Sequence, residues 1–294
     1  MTHSTSSGQA HSTSSSKRSN RFATTGQGAS TGSAHSRIAQ AFDGHKALIA
    51  YLTIGYPTLD TCLELVPRLE EWGCDMVELG IPFSDPLADG TTIQEASFQA
   101  LQNGITPQKC LETAGKLRKK VSLPLLFMGY YNPILNYGPE AFCHVSEMAG
   151  VDGFIVPDLT PDEGDELEAA TQRHRLDLVY LLAPNSSDNR IQLVAEHSKG
   201  FIYLVSLTGV TGPRAELSSE LERFVSRVRS QTKLPLAVGF GISGPEQAKR
   251  AAAVADGVIV GSRLIQLLKE DSSLGPNKPR VFDKVKEFIT GLRQ

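Results

Sequence analysis

The strongest constraint on this chain is a rhythm in its apolar residues. Eight short β-branched or apolar runs alternate with longer stretches of helical periodicity: Ala47 to Ile54, Asp75 to Gly80, Leu123 to Gly129, Gly153 to Pro157, Leu178 to Ala183, Phe201 to Ser206, Leu236 to Phe240 and Gly257 to Gly261. Such alternation marks a parallel sheet covered by helices, because parallel strands need a crossover long enough to hold a helix. Eight units in about 250 residues predict an α/β chain folded as a single (β/α)8 TIM barrel. An open doubly wound sheet is the alternative that periodicity leaves. The stretches between runs carry helix punctuation. Thr58-Leu59-Asp60 opens one and Trp72-Gly73 closes it, and Thr160-Pro161-Asp162 sets a proline at an early helical position. Because a barrel's active site lies at the C-terminal ends of its strands, the residues just after each run are the functional candidates.

Residues 1–35 are dominated by Ser, Thr, Gly and His, with too few apolar side chains to offset the entropy of ordering. They are expected to form a disordered tail ahead of a catalytic domain spanning 36–294. No acidic residue precedes Asp43, whereas Lys17, Arg18, Arg21 and Arg37 lie in this stretch. It lacks the apolar core of a secretory signal. A Ser-rich, acid-poor start also fits an organellar transit peptide, so a plastid stands as the alternative to the cytoplasm.

The formal charge over 294 residues is -3, and no dense basic block with interleaved aromatics occurs. Nucleic acid and an anionic membrane are therefore disfavoured as partners, and a small molecule is favoured. The longest apolar stretches, such as Leu178 to Ala183 and Phe201 to Leu207, fall far short of the ~20 residues a membrane span needs. Cys62, Cys74, Cys110 and Cys143 stand far apart without a CxxC motif, and read as reduced thiols.

The second run, Asp75-Met-Val-Glu-Leu-Gly80, places Glu78 near the C-terminal end of an apolar strand. By alternation it shares a face with Met76 and Gly80, where an unpartnered carboxylate is costly. Burial raises a carboxyl pKa toward neutrality, which suits proton exchange. The competing explanation is a structural salt bridge inside the barrel. Asp85 and Asp89 follow in a Pro-rich loop ending at Gly90, and turn chemistry accounts for each alone. Their place over the same strand end makes them candidates for a second protonic role.

The last two runs lead into Val238-Gly-Phe-Gly-Ile-Ser243 and Val260-Gly-Ser-Arg263, each heading into a helix. TIM barrels commonly bind phosphate at these two loops, through glycine amides and a helix N-terminus. Individually the glycines are equally well explained as turn residues, with Ser243 and Ser262 as N-caps. Thr208-Gly-Val-Thr-Gly-Pro213, after the sixth run, can serve as a mobile flap or a passive surface loop. A Schiff-base aldolase needs a lysine inside the barrel, yet Lys46, Lys199 and Lys233 all precede strands, at the opposite face. No histidine pair stands at a strand's C-terminal end to hold a catalytic metal. The electron sink must then belong to the substrate.

The segment Glu78-Leu-Gly-Ile-Pro-Phe-Ser-Asp-Pro-Leu-Ala-Asp-Gly90 closely resembles the signature of tryptophan synthase alpha chains. Ala50-Tyr-Leu-Thr-Ile-Gly-Tyr-Pro57, Gly129-Tyr-Tyr-Asn-Pro-Ile134, Gly209-Val-Thr-Gly212, Gly239-Phe-Gly-Ile-Ser243 and Val260-Gly-Ser262 follow in family order, so the resemblance runs from about Arg37 to the C-terminus. It implies retro-aldol cleavage of indole-3-glycerol phosphate to indole and glyceraldehyde 3-phosphate. Glu78 would be the general acid/base, and Asp89 would hold the indole N–H. It further implies that Gly212, Gly241, Gly261 and Ser262 contact the phosphate, that Thr211 pairs with Asp89 on closure, and that Tyr51, Tyr203 and Phe240 line the pocket. Three positions depart from the family's habit: Tyr51 where Phe is common, Thr91 where Pro is usual, and Pro213 in place of Ala. The last two bear on loop closure. The family core begins with a helix like Arg37 to Phe42, capping the barrel floor.

The resemblance also implies that this chain carries no cofactor and works with a beta subunit that carries pyridoxal phosphate, in an alpha-beta-beta-alpha assembly. The loops after the second and sixth runs and the Asn132-Pro133 segment would face that partner. Two other readings share the same residues: a stand-alone lyase releasing free indole, and a silent activator of the beta subunit.

Overall fold

A computed structural model describes residues 36–205, 214–239, 241–272 and 279–293. Every one of the eight apolar runs supplies a strand. These are β1 (Ala47–Thr53), β2 (Met76–Gly80), β3 (Leu125–Met128), β4 (Gly153–Ile155), β5 in two pieces (Asp177–Val179 and Leu181–Leu182), β6 (Ile202–Val205), β7 (Leu236–Gly239) and β8 (Gly257–Val260). All pairings are parallel, each strand lies beside its sequence neighbour, and β8 returns to β1. The two pieces of β5 flank Tyr180. The first pairs with β4 and the second with β6, while Tyr203 N donates to Tyr180 O (3.1 Å). The circle therefore closes as a TIM barrel of eight strands, and an open sheet is excluded. Residues of β1, β2, β3 and β8 are buried throughout, as befits strands packed on both faces.

Twelve helices occur among the described residues: α1 (Arg37–Gln40), α2 (Leu59–Glu71), α3 (Thr91–Gln102), α4 (Pro107–Arg118), α5 (Tyr131–Tyr137), α6 (Pro139–Met148), α7 (Asp165–Arg173), α8 (Asp188–His197), α9 (Arg214–Arg229), α10 (Pro245–Val254), α11 (Ser262–Ser272) and α12 (Pro279–Leu292). The punctuation expected of α2 is present. Thr58 Oγ1 accepts from Thr61 N (3.2 Å), and the helix ends at Trp72 with Gly73 at φ 96°. Pro161 instead starts a 3₁₀ turn (Pro161–Glu163), and α7 begins after it, at Asp165.

The floor of the barrel, at the strand N-termini, is plugged by α1. Ser36 Oγ caps it by accepting from Ala39 N (3.1 Å). Fully buried Ile38 fits between Gly153 and Gly200, where an added methyl would lie 3.1 and 2.7 Å from its side chain. The Phe42 ring packs on Phe201, centroids 5.5 Å apart. The expected helix to Phe42 stops two residues early because its end tightens into i to i−3 bonds, such as Phe42 N to Ala39 O. The chain's other end reaches the same floor. Past α12, the Arg293 guanidinium donates to Gly73 O (2.8 Å) and Lys46 O (3.2 Å) and pairs with Asp75. No helix among the described residues is long and apolar enough to cross a membrane. The four cysteines are buried and free, without disulfides. Residues 1–35 lie outside the described residues, so the expectation of a disordered tail is not addressed.

Candidate active site

The strand register sets Tyr51 of β1 beside Glu78 of β2, and Glu78 beside Leu126 of β3. Alternation turns Glu78 inward, where it lines a cavity of about 290 Å³ at the C-terminal end of the barrel. Its side chain is fully buried, and among the described residues neither carboxylate oxygen has a hydrogen-bond partner. That disposes of the structural salt bridge. Burial alone pushes its pKa from 4.5 up to about 8, so the carboxyl is mostly neutral at pH 7.

Space for a ligand comes from glycines facing tyrosines. A methyl on Gly80 would lie 2.3 Å from the Tyr51 hydroxyl, and one on Gly239 would lie 2.1 Å from that of Tyr203. Both rings therefore lie across a neighbouring strand and form part of the cavity wall. Tyr51 Oη finds its polar partner in Thr53 Oγ1 (3.2 Å), which resolves how a hydroxyl is accommodated in this wall. Ile93, Met128, Ile242 and Ile259 supply apolar surface around the same cavity.

Asp89 hangs over this end from the loop between β2 and α3. Asp89 N donates to Pro86 O (3.0 Å), which is turn chemistry, but its side chain does more. Tyr130, just past β3, donates from its hydroxyl to Asp89 Oδ2 (3.2 Å), accepts from Ala88 N (2.9 Å) and packs at a tilt against Phe83, ring centroids 5.3 Å apart. Burial lifts the Asp89 pKa to about 6 against the opposing pull of the Tyr130 donor. Asp85 is exposed and accepts from Ser84 Oγ (2.5 Å), so it is a turn residue only.

The opposite wall is polar and made of backbone. Gly241, at φ 80°, Gly261 and Ser262 line the cavity with Ser243, Arg263 and Gln266. Ser262 is the first residue of α11, and Ile265 N is the amide that bonds back to Gly261 O (3.0 Å), leaving the first turn's amides without intrahelical acceptors. A helix N-terminus aimed into a glycine-lined recess suits a dianionic phosphate. Neither serine is the N-cap expected. Gly244 precedes α10, and Ser243 instead donates to Gln247 through its amide (2.7 Å) and hydroxyl (2.8 Å).

The fold thus brings together Glu78, Tyr51, Tyr203, Gly241, Gly261 and Ser262, with Asp89 above them. Thr211, Gly212, Pro213 and Phe240 lie outside the described residues. Thr91 starts α3 behind Gly90, the first helical position, where proline is also accommodated. Sequence reasoning assigned nothing to Tyr130, Arg263 or Gln266. The last two are readable in hindsight as one face of the first turn of α11, three residues apart. Among the described residues no lysine lines the cavity; Lys46, Lys199 and Lys233 precede β1, β6 and β7.

A closed (β/α)8 barrel with a buried, unpartnered acid at one strand end and an anion recess across from it defines a phosphate-ester-processing barrel enzyme. Comparison with known proteins narrows this. The sequence model for the tryptophan synthase alpha chain matches residues 38–292. A tryptophan synthase alpha chain from Dehalococcoides mccartyi is 57% identical over 259 residues, 88% of this chain and 98% of its own. One from Chloroflexus aurantiacus is 51% identical over 240 residues, 80% and 90% of the two chains. The crystal structure of tryptophan synthase subunit alpha from Legionella pneumophila superposes with a TM-score of 0.81 at 36% identity, covering 89% of this chain and 98% of that one. The chain belongs to the tryptophan synthase alpha chain family. It is a carbon–carbon lyase of tryptophan biosynthesis that acts on indole-3-glycerol phosphate, in a family whose alpha chain needs no cofactor and whose members work with a beta subunit. The stand-alone lyase and the silent activator give way to this reading.

Proposed function

We propose that Glu78 is the proton carrier of the cleavage and Asp89 its electrostatic partner. The observation that carries this is the buried Glu78 carboxyl, raised to about 8 and lacking a partner among the described residues, facing a cavity with an anion recess. The indole ring lies among Tyr51, Tyr203, Ile93 and Met128, with Phe240 completing the wall, and the phosphate sits against Gly241, Gly261, Ser262 and Gly212. Neutral Glu78 gives its proton to indole C3, which makes the ring an electron-deficient iminium. Ionised Asp89 accepts the ring N–H and stabilises that charge. The Glu78 carboxylate then takes the proton of the hydroxyl on the carbon joined to the ring. That carbon becomes the aldehyde of glyceraldehyde 3-phosphate, the carbon–carbon bonding pair returns to the ring, and indole leaves with Glu78 protonated again. Thr211 closes on Asp89.

The beta subunit of an alpha-beta-beta-alpha tetramer is the partner, docking on the loop after β2 and the segment around Asn132 and Pro133. Leu87 in that loop, 92% exposed, and Leu135 on α5, 48% exposed, offer it apolar contact. Four free thiols fit a reducing cytoplasm. Residues 36–294 make the catalytic domain. Indole formation from indole-3-glycerol phosphate, measured with and without a beta subunit, tests the reading. Glu78→Gln is expected to cost at least roughly 10²–10⁴-fold in rate while ligand affinity persists. Retained turnover would remove Glu78 from the mechanism.

A further inference from the structure

The flank of the barrel where α6 packs against α7 carries side chains that the lyase reaction does not use. His144 and Glu147 lie three residues apart on α6, and His174 directly follows α7. One ligand atom from each lies within 4.8 Å of the others. The His144 ring is exposed and sits beside that of His174, with centroids 5.4 Å apart. The cluster precedes β5, on the floor side of the barrel, away from the cavity at the strand C-termini.

The bonds around His174 sort its two nitrogens. Nε2 is 2.9 Å from Glu140 Oε1, and Nδ1 is 3.0 Å from Glu147 Oε2. Both nitrogens donate to carboxylates here, so an ion bound at Nδ1 takes the place of the proton shared with Glu147 while Nε2 keeps its donation to Glu140. A metal-bound histidine almost always gives its other N–H to a carboxylate or carbonyl in this way, which fixes its tautomer and ring orientation. Both carboxylates are themselves held: Arg173 pairs with Glu140 (2.5 Å), and Arg175 donates to Glu147 Oε1 (2.7 Å).

The same arginines offset the two negative charges, so a hard cation gains little attraction here. Imidazole nitrogens instead select borderline transition ions. Donor atoms around a tetrahedral zinc with Zn–N bonds of about 2.0–2.1 Å lie some 3.3 Å apart, within reach of a small rotation of exposed His144.

We propose that His144, Glu147 and His174 form a surface site for a borderline divalent transition ion, zinc being the representative, that ties α6 to α7. Solvent completes its coordination. The ion stands apart from the lyase chemistry and acts on stability.

Zinc binding to the full-length chain, read by competition with a chromophoric chelator, tests this, with thermal unfolding as a second readout. The wild type is expected to bind one ion and gain thermal stability from it. His144→Ala is expected to weaken binding at least roughly tenfold, and Glu140→Gln, which frees the His174 orientation, roughly ten- to a hundredfold. Indole formation in zinc-free buffer stays unchanged in His144→Ala. Absence of stoichiometric binding overturns the proposal. So does an affinity that is equal in the wild type, His144→Ala and Glu147→Gln, because the ion would then sit elsewhere, on His3, His11 and His35 for instance.

Discussion

Glu78 buries a carboxyl whose pKa differs between the folded and unfolded chain, and this has a thermodynamic signature apart from catalysis. Unfolded, it ionises near 4.5; folded, near 8. Between those values the folded state holds a proton that the unfolded state has lost, so stability falls as pH rises through this window, by at most about 1.4 kcal/mol per unit. Glu78→Gln removes that slope. Denaturant unfolding from pH 5 to 8 should show the wild type losing more stability than the variant, and parallel curves would contradict the buried acid. Asp89 sets a kinetic counterpart. The proposed chemistry needs Asp89 ionised and Glu78 protonated, so kcat/KM should rise through about 6 and fall through about 8. Tyr130→Phe removes the donor that opposes burial at Asp89, and the rising limb should move to higher pH. An unmoved limb would leave Tyr130 as scaffold for Ala88 alone. Glu78 was legible in the sequence because strand alternation and an apolar surround together expose an ill-placed charge. Tyr130 was not, because its partner is 41 residues away and only the closed barrel brings them together.

Among the elements, the eight strands were readable because burial on both faces leaves uninterrupted apolar runs. The doubled helices in two crossovers, α3 with α4 and α5 with α6, were not, since the alternation counts one crossover between runs and says nothing of the turns at Gly104 (φ 73°) and Gly138 (φ 93°) that divide them. The His144, Glu147 and His174 cluster escaped for the same reason as Tyr130: it exists only where α6 meets α7. The plug α1 separates stability from chemistry. Ile38→Ala deletes a fully buried side chain at the floor and should cost about 2–5 kcal/mol in urea unfolding. The Glu78 end of the barrel should be untouched, so kcat/KM at a permissive temperature stays at the wild-type value. A matching loss of activity would mean that floor and mouth are coupled.

At the scale of the whole molecule, one loop serves two masters. The segment from β2 to α3 carries Asp89 inward and Leu87 outward, so the proposed partner contact and the proposed closure over the ligand would act on the same short stretch of backbone. Leu87→Asp should leave the isolated chain's indole formation as it is and reduce its stimulation by a beta subunit, read as a right-shifted titration of rate against added subunit. Stimulation unchanged by that charge would place the interface elsewhere. The family resemblance supplied this surface, because exposure of one leucine cannot be read from a single loop sequence. The floor has a different consequence. Ser36 enters there, and Arg293 is fastened there to the residues that lead into β1 and β2. Both ends of the described chain thus lie on the side opposite the mouth, and the strand order has no seam. Joined by a linker long enough to cross that floor, the barrel would be a ring, and its termini could be reopened at an exposed turn with every strand pairing preserved.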